Sequence, residues 1–86
     1  MFKDKLDIPF RHFSMRLHER YGVFITFEEY LELNKIKYLK KQKVIKNKEG
    51  KRRLIGYCNI KNVNVLCCRS ISSKIFITAL PFENKF

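Results

Sequence analysis

The stretch KRRLIGYCNIKNVNVLCCR, residues 51–69, decides the fold because apolar and polar positions alternate on both sides of a short turn. Apolar residues at every second position indicate β-strands. If Lys61-Asn62 is a two-residue turn, three pairs across a hairpin follow. These pairs are Ile60–Val63, Cys58–Val65 and Gly56–Cys67. One face of the hairpin is then apolar and predicts a core face. That face carries Leu54, Cys58, Ile60, Val63, Val65 and Cys67.

Two more strands flank this hairpin. The four predicted strands are Lys40–Lys46, Lys51–Ile60, Val63–Arg69 and Lys74–Leu80. The turn of residues 47–50 joins the first two strands, with Gly50 able to adopt the positive φ that a hairpin loop needs. Pro81 ends the fourth strand, because proline cannot donate a hydrogen bond to a neighbouring strand. The fourth strand is apolar on both faces, so we expect it to be central or covered.

A helical period of three to four residues precedes the sheet. The apolar stripe of the first helix consists of Phe10, Phe13, Leu17 and Tyr21. Pro9 suits a first helical turn, and Gly22 suits the position just past a helix C-terminus. Thr26 and Glu29 have the spacing of a capping box, which predicts the start of a second helix. The helices are therefore predicted near residues 9–21 and 26–35.

These elements predict a single α+β domain over residues 1–86. Two helices pack on a four-stranded antiparallel sheet. Its parts are a lead-in (1–9), a helical part (10–35), the sheet (38–81) and a tail (82–86). Hydrophobic residues make up 45% of the chain and include eight Phe and four Tyr, enough for a core.

Several classes of protein are disfavoured by the sequence. No apolar run approaches the ~20 residues of a membrane span, and no secretion signal is visible. Cys58, Cys67 and Cys68 are too few and too close together for a disulfide framework, so we expect reduced, buried thiols in a cytoplasmic protein. No glycine-rich phosphate loop, zinc-ligand spacing or acidic cluster is present, so no metal and no cofactor are predicted.

The basic stretch of residues 35–53 points to a polyanionic partner. It holds ten lysines and arginines against one acid, Glu49, and apolar residues interrupt the charges. Neutralising nucleic-acid phosphates releases counterions, which favours RNA or another nucleic acid as the partner. A solvated, charge-rich hairpin is the alternative explanation. The predicted nucleic-acid-binding residues are Lys40, Lys41, Lys43, Lys46, Lys51, Arg52, Arg53, Arg69 and Lys74.

A row of titratable and cationic side chains lies on the first helix. His12, Arg16 and Arg20 recur every four residues and so share one helix edge. Arginines can hold phosphate oxygens by paired hydrogen bonds, and a histidine can transfer a proton near neutral pH. RNA cleavage through its own 2′-hydroxyl needs an acid, a base and charge stabilisation. The alternative is a solvent-facing edge on which Glu19 pairs locally, and the sequence does not separate the two.

The order of these features resembles a known group of small proteins. The run from His12 to Gly22, the Thr-capped acidic helix, residues 39–42 and the closing Ile75–Pro81 segment are similar to small phage and bacterial proteins of the RelE/ParE-like toxin and ribonuclease group. This resemblance implies a RelE-like sheet with helices packed on it, and an RNA-directed role with cleavage in some members. Besides RNA, the alternative partner is an acidic protein or an antitoxin.

The resulting prediction is a small basic RNA-binding protein, with metal-independent endoribonuclease activity as its enzymatic form. His12 would be the acid or base, and Arg16 and Arg20 the phosphate clamps. Two alternatives remain: a non-catalytic nucleic-acid-binding protein, and a phage-type inhibitor that binds an acidic host protein.

Overall fold

The computed structural model of the protein describes residues 2–46 and 48–81, and within the first helix the side chains from Leu6 onward. Two helices precede a four-stranded antiparallel sheet whose strands lie side by side in sequence order. The elements are α1 (Phe2–Tyr21), α2 (Phe27–Leu33), β1 (Lys40–Lys46), β2 (Arg52–Ile60), β3 (Val63–Ser70) and β4 (Phe76–Ala79). The predicted α+β class and strand order are confirmed. Asn47 of the predicted turn and the predicted tail, 82–86, lie outside the described residues.

The β2–β3 hairpin has the register that the sequence predicts. The observed pairs include Ile60–Val63, Cys58–Val65 and Gly56–Cys67. Lys61 and Asn62 both have positive φ, 50° and 69°. This is the backbone of a two-residue turn whose twist matches that of the flanking strands. The turn and the alternation of side chains together fix which residues face the core.

The hydrophobic core lies between the helices and one face of this sheet. Phe13, Leu17 and Tyr30 of the helices are fully buried. The sheet contributes Cys58, Ile60, Val65, Cys67, Phe76 and Ala79 to the same cluster, and Leu54 and Val63 pack against it. Leu39, which precedes β1, packs over Gly56, where an added Cβ would lie 2.6 Å from the Leu39 Cβ. Glycine at this position therefore lets the chain entering β1 cross close to the sheet.

The first helix is longer than the sequence predicted. It begins at Phe2 and contains Pro9, so the prediction that residues 1–9 form a lead-in ending at Pro9 is wrong. Proline lacks the N–H that would bond to the carbonyl four residues earlier, and the helix continues past it without that bond. The predicted C-terminus is confirmed. Gly22 has φ 69° and donates its N–H to the His18 carbonyl at 2.9 Å.

The capping box of α2 forms as predicted. The Glu29 N–H donates to the Thr26 hydroxyl at 3.1 Å, and the Thr26 N–H donates to the Glu29 carboxylate at 2.8 Å. That second hydrogen bond is the main cause that lowers the pKa of Glu29 from its ordinary value. The helix ends at Asn34, close to the predicted position.

Tyrosine hydroxyls fasten both helices to the β4 segment. Tyr30 donates to the Phe76 carbonyl at 2.7 Å, and Tyr21 donates to the Leu80 carbonyl at 2.9 Å. Burial raises the pKa of both hydroxyls. β4 is thus an edge strand that α1 covers, as its apolar composition predicted. It begins at Phe76 rather than at Lys74, because Lys74 lies in the preceding turn with φ 60°. In the described part of the chain, no helix has the length and apolarity that crossing a bilayer requires.

A buried arginine joins the end of α2 to the β3–β4 turn. Arg69 is 4% exposed and pairs with no described carboxylate. Its guanidinium donates to the Asn34 carbonyl at 2.8 Å, to the Ile36 carbonyl and to the Lys74 carbonyl at 2.9 Å. Its Cζ lies 5.0 Å from the centre of the Phe76 ring. Burial lowers the pKa of this guanidinium from its ordinary value.

We predict that Arg69→Met lowers the free energy of unfolding by about 2–3 kcal/mol, because three covered carbonyls lose their donor. Urea denaturation followed by circular dichroism measures the change. Arg52→Met is the matched control, since Arg52 is exposed and its replacement should change stability by less than about 0.5 kcal/mol. Equal effects of the two substitutions would show that the Arg69 hydrogen bonds do not stabilise the fold.

Candidate nucleic-acid interface

Strand β1 presents basic side chains along one edge of the sheet. It has a neighbouring strand on one side only, and every residue in it except Ile45 is exposed. Four predicted nucleic-acid-binding residues lie on this strand: Lys40, Lys41, Lys43 and Lys46. Four ion pairs join described residues outside β1, at Asp7–Arg11, Arg16–Glu19, Glu29–Lys61 and Glu32–Lys35, and none of them includes Lys40, Lys41 or Lys46. Lys40, Lys41 and Lys46 therefore form no ion pair with a described carboxylate.

A β-bulge distorts the start of β1. Between Lys40 and Lys43 this strand carries one more residue than β2 opposite it. Lys41 has φ 54°, and the Gln42 side-chain oxygen accepts the Leu39 N–H at 2.9 Å. A bulge of this kind disrupts the hydrogen-bonding edge and re-aims side chains. Gln42 is thereby tied to its own backbone.

Lys40 and Lys41 lie beside a shallow recess. The other residues that line it are Tyr57 and Asn64, and its volume is about 290 Å³. Tyr57 is half-buried, whereas Ile55, two residues earlier on the same face of β2, is fully buried. This recess brings two predicted cations together with an aromatic ring and an amide.

A second recess lies at the end of the sheet where β2 begins and β3 ends. It is lined by Lys51–Arg53 and Ser70–Ser72 and has a volume of about 520 Å³. We call it the serine recess. The Ser70 and Ser72 hydroxyls are 3.3 Å apart. Arg52 and Arg53 are adjacent on β2 and so point to opposite faces, yet both line this recess because it lies at the strand ends. Guanidinium and hydroxyl groups are common donors to phosphate oxygens.

The largest of these recesses adjoins the serine recess. It has a volume of about 580 Å³ and shares Ser70 and Ile71 with its neighbour. We call it the tyrosine groove, after the exposed Tyr38. Its lining consists of residues 34–38, Val44, Leu54, residues 69–71 and Lys74. The two recesses are therefore neighbours, and together they are lined by residues of the α2–β1 connection, the start of β2 and the β3–β4 turn.

Two predicted phosphate-binding residues have different positions from those expected. Arg69 was predicted to bind nucleic acid, but it is buried, and its donors are directed at backbone carbonyls. The sequence could not reveal this, because two of the three accepting carbonyls belong to residues 34 and 36, far away along the chain. Lys74 is exposed and lines the tyrosine groove, although it lies in a turn rather than in a strand.

His12, Arg16 and Arg20 of α1 lie in three different environments. His12 is exposed, and no described hydrogen bond or ion pair orients its ring. Arg16 pairs with Glu19 at 2.9 Å, the local pairing that the sequence offered as the alternative. Arg20 donates to the Ala79 carbonyl at 2.7 Å and so links α1 to the end of β4. The roles of His12 as acid or base and of the arginines as clamps stay predictions.

The structure separates this row from the basic edge. α1 packs along β4 and β3, whereas β1 lies beyond β2 at the opposite edge of the sheet. The predicted residues that the structure does bring together are Lys51, Arg52 and Arg53 at the serine recess, and Lys40 and Lys41 at their own recess. The sequence missed Tyr38, Lys37 and the serines as site residues. Their only signal was an aromatic between lysines and a serine-rich turn.

The three cysteines are buried in the sheet. Cys58, Cys67 and Cys68 are free and buried, as predicted. The hydrogen bond with Cys58, together with burial, raises the pKa of the Cys67 thiol, and burial raises that of Cys68. Among the described His, Cys, Asp and Glu side chains, no three lie close enough together to hold a metal ion.

Comparisons of the chain with models of protein families, with curated proteins and with solved structures found no match. The resemblance to the RelE/ParE-like group therefore stays a prediction from sequence.

We predict that Arg20→Met lowers the free energy of unfolding by about 1 kcal/mol, because the Ala79 carbonyl loses a charged donor. Arg16→Met is the matched control on the same helix edge, and loss of its exposed pair with Glu19 should cost less than about 0.5 kcal/mol. Thermal denaturation of both variants tests the difference. Indistinguishable stabilities would mean that Arg20 does not fasten α1 to β4.

Proposed function

We propose that the protein binds RNA through one basic surface. This surface comprises β1, the start of β2, the serine recess and the tyrosine groove. The observation that carries the proposal is the position of Lys40, Lys41 and Lys46, which are exposed on β1 and form no ion pair with a described carboxylate, next to two neighbouring recesses lined by further cations. Nucleic-acid binding draws most of its free energy from this kind of arrangement, because each phosphate contact releases counterions.

The pattern of the surface supports a nucleic acid over a merely solvated hairpin. Lysines on an edge strand alone would be explained by the need to prevent strands of other chains from pairing there. That need does not account for the arginines and serines of the serine recess, or for an exposed tyrosine beside them. Hydroxyl, guanidinium and aromatic groups close together match the phosphates and bases of one ligand. RNA is the nucleic acid that the resemblance to the RelE/ParE-like group implies.

Cleavage is an extension of this proposal that rests on the sequence alone. The His12 row lies on α1, and neither recess includes any of its members. A nuclease reaction at His12 would therefore place the reacting phosphate on a different part of the protein from the basic edge. Binding without cleavage is the function that the geometry supports best.

We predict that Lys41→Gln/Lys46→Gln reduces the slope of log affinity against log salt by about 1.4, since each phosphate contact on a single strand contributes about 0.7. Affinity should fall to a similar degree for RNAs of different sequence. Fluorescence anisotropy with short labelled RNAs over a range of salt concentrations measures both quantities.

The control for net charge is Arg11→Gln/Lys61→Gln, which removes two cations that lie outside the proposed surface. This variant should retain the slope of the wild type. The same loss of slope in both variants would mean that overall charge, and not the basic edge, attracts the RNA. Binding to an acidic protein but to no RNA would favour the inhibitor alternative.

The cleavage hypothesis makes its own prediction. If His12 is an acid or base, His12→Ala should slow cleavage of total RNA in EDTA by about 10²–10⁴-fold, the usual contribution of a positioned proton-transfer group. His18→Ala is the control, because His18 is exposed on the same helix and lies outside the row. Gel analysis of the RNA supplies the readout. Intact RNA with the wild-type protein would exclude the enzyme and leave the RNA-binding proposal standing.

A further inference from the structure

Exposed apolar side chains are concentrated in the tyrosine groove. Among the described residues, six large hydrophobic side chains are exposed, and three of these line this groove. They are Tyr38, Val44 and Ile71, with exposed fractions of 76%, 56% and 41%. Apolar side chains scattered singly over a surface need no explanation, whereas a contiguous group marks a binding site.

The rim of the groove is cationic. Lys37 and Lys74 are exposed and line it, and neither takes part in the ion pairs among the described residues. Lys35, a third rim cation, pairs with Glu32 at 3.0 Å. Arg69 lies beneath and is held by backbone carbonyls. The groove therefore combines exposed apolar side chains with exposed lysines. Together these suit an anion that carries a flat apolar group.

The neighbouring serine recess is lined by side chains of a different chemical character from those of the tyrosine groove. Apolar and aromatic groups dominate the tyrosine groove, whereas serine hydroxyls and arginines dominate the next recess. The two share Ser70 and Ile71, so a chain lying in one can enter the other. An apolar recess followed by a phosphate-binding one matches the alternation of base and phosphate in a nucleic-acid strand. An amphipathic peptide helix would need an uninterrupted apolar stripe instead.

We propose that the tyrosine groove holds an unpaired nucleobase, with the base stacked on Tyr38 and its phosphates near Lys37 and Lys74. The strand continues over Ser70–Ser72 toward Arg52. This proposal rests on the RNA-binding function proposed above and names its substrate as single-stranded RNA. A base within a duplex has both faces covered by its neighbours, so it cannot stack on a protein ring without unpairing. The volume of about 580 Å³ is within the range of sites for molecules the size of a nucleotide.

Acidic residues of α2 set the direction of the strand. Glu28, Glu29 and Glu32 line a separate shallow recess that reaches the tyrosine groove at Ile36. Glu29 and Glu32 each pair with a lysine, so Glu28 is the carboxylate whose charge disfavours phosphates on that side. A strand bound at Tyr38 therefore runs away from α2, toward the serine recess and the basic edge.

The test compares oligo-uridylate with an RNA duplex of the same length. Tyr38→Ala should weaken binding of the single strand about 10-fold or more, because stacking on an aromatic ring contributes strongly for each base. Binding of the duplex should not change. Tyr38→Phe should restore single-strand affinity to near the wild-type value, since it retains the ring. Because Tyr38 is 76% exposed, neither substitution disturbs the core.

Phe24→Ala is the matched control. Phe24 is another exposed aromatic, at 68%, and its carbonyl accepts a hydrogen bond from Lys61 of the β2–β3 turn, at the opposite end of the sheet. The Phe24→Ala variant should bind both RNAs with the affinity of the wild type. Photocrosslinking of 5-iodouracil-substituted oligo-uridylate, with the crosslinked peptide identified by mass spectrometry, should modify the wild type at Tyr38.

Each contrary outcome has a distinct meaning. Salt-dependent RNA binding that is the same in wild type and Tyr38→Ala would overturn the base site and leave the RNA-binding function intact. No binding of any RNA by the wild type would overturn both. A peptide of alternating Glu and Leu that binds the wild type and not Tyr38→Ala, while oligo-uridylate binds both equally, would assign the groove to an acidic protein and overturn the proposal.

Discussion

The rest of the structure depends on the hydrogen bonds of the Arg69 guanidinium to three carbonyl groups. They connect the last residues of α2, the chain leading to β1 and the β3–β4 turn. A buried cation without a carboxylate is costly unless its donors are satisfied, and carbonyls near a helix C-terminus are good acceptors because they carry partial negative charge. Asn34, Ile36 and Lys74, which carry these carbonyls, also line the tyrosine groove. The shape of the candidate interface is thus set by an interaction in which the ligand need not take part.

The distribution of charge follows from how the few acids are used. The chain has eight acidic residues against nineteen Lys and Arg. Glu29 caps α2 and pairs with Lys61, and Asp7, Glu19 and Glu32 pair with cations close to them in sequence. The helices are therefore largely neutralised, and the excess of positive charge falls on β1 and the start of β2. Self-repulsion of that excess destabilises the folded state, so a bound polyanion should stabilise it by binding the folded form preferentially.

Local rules predicted the parts of the fold that local geometry determines. The two-residue turn at Lys61-Asn62 fixed the register of β2 against β3, and the spacing of Thr26 and Glu29 fixed the start of α2. The failures have tertiary causes. Pro9 lies inside a helix, although the sequence alone favoured it as a helix start. Arginine is usually a surface residue, but two of the three acceptors of Arg69 lie in a segment more than thirty residues earlier. The tyrosine groove is assembled from four separate segments, so no spacing in the sequence reveals it.

The lysines of β1 satisfy two physical requirements at once. An edge strand exposes unpaired N–H and C=O groups, and lysines together with a bulge at Lys41 keep other strands from pairing with them. In the proposed function, the same side chains would supply the counterion release on which RNA binding depends. This is why a basic hairpin alone cannot distinguish a protected edge from a binding surface. The proposed distinction rests on what lies beside the edge. An exposed tyrosine and a serine-lined recess do not protect a strand from pairing, and they are the groups that the proposed RNA strand would contact.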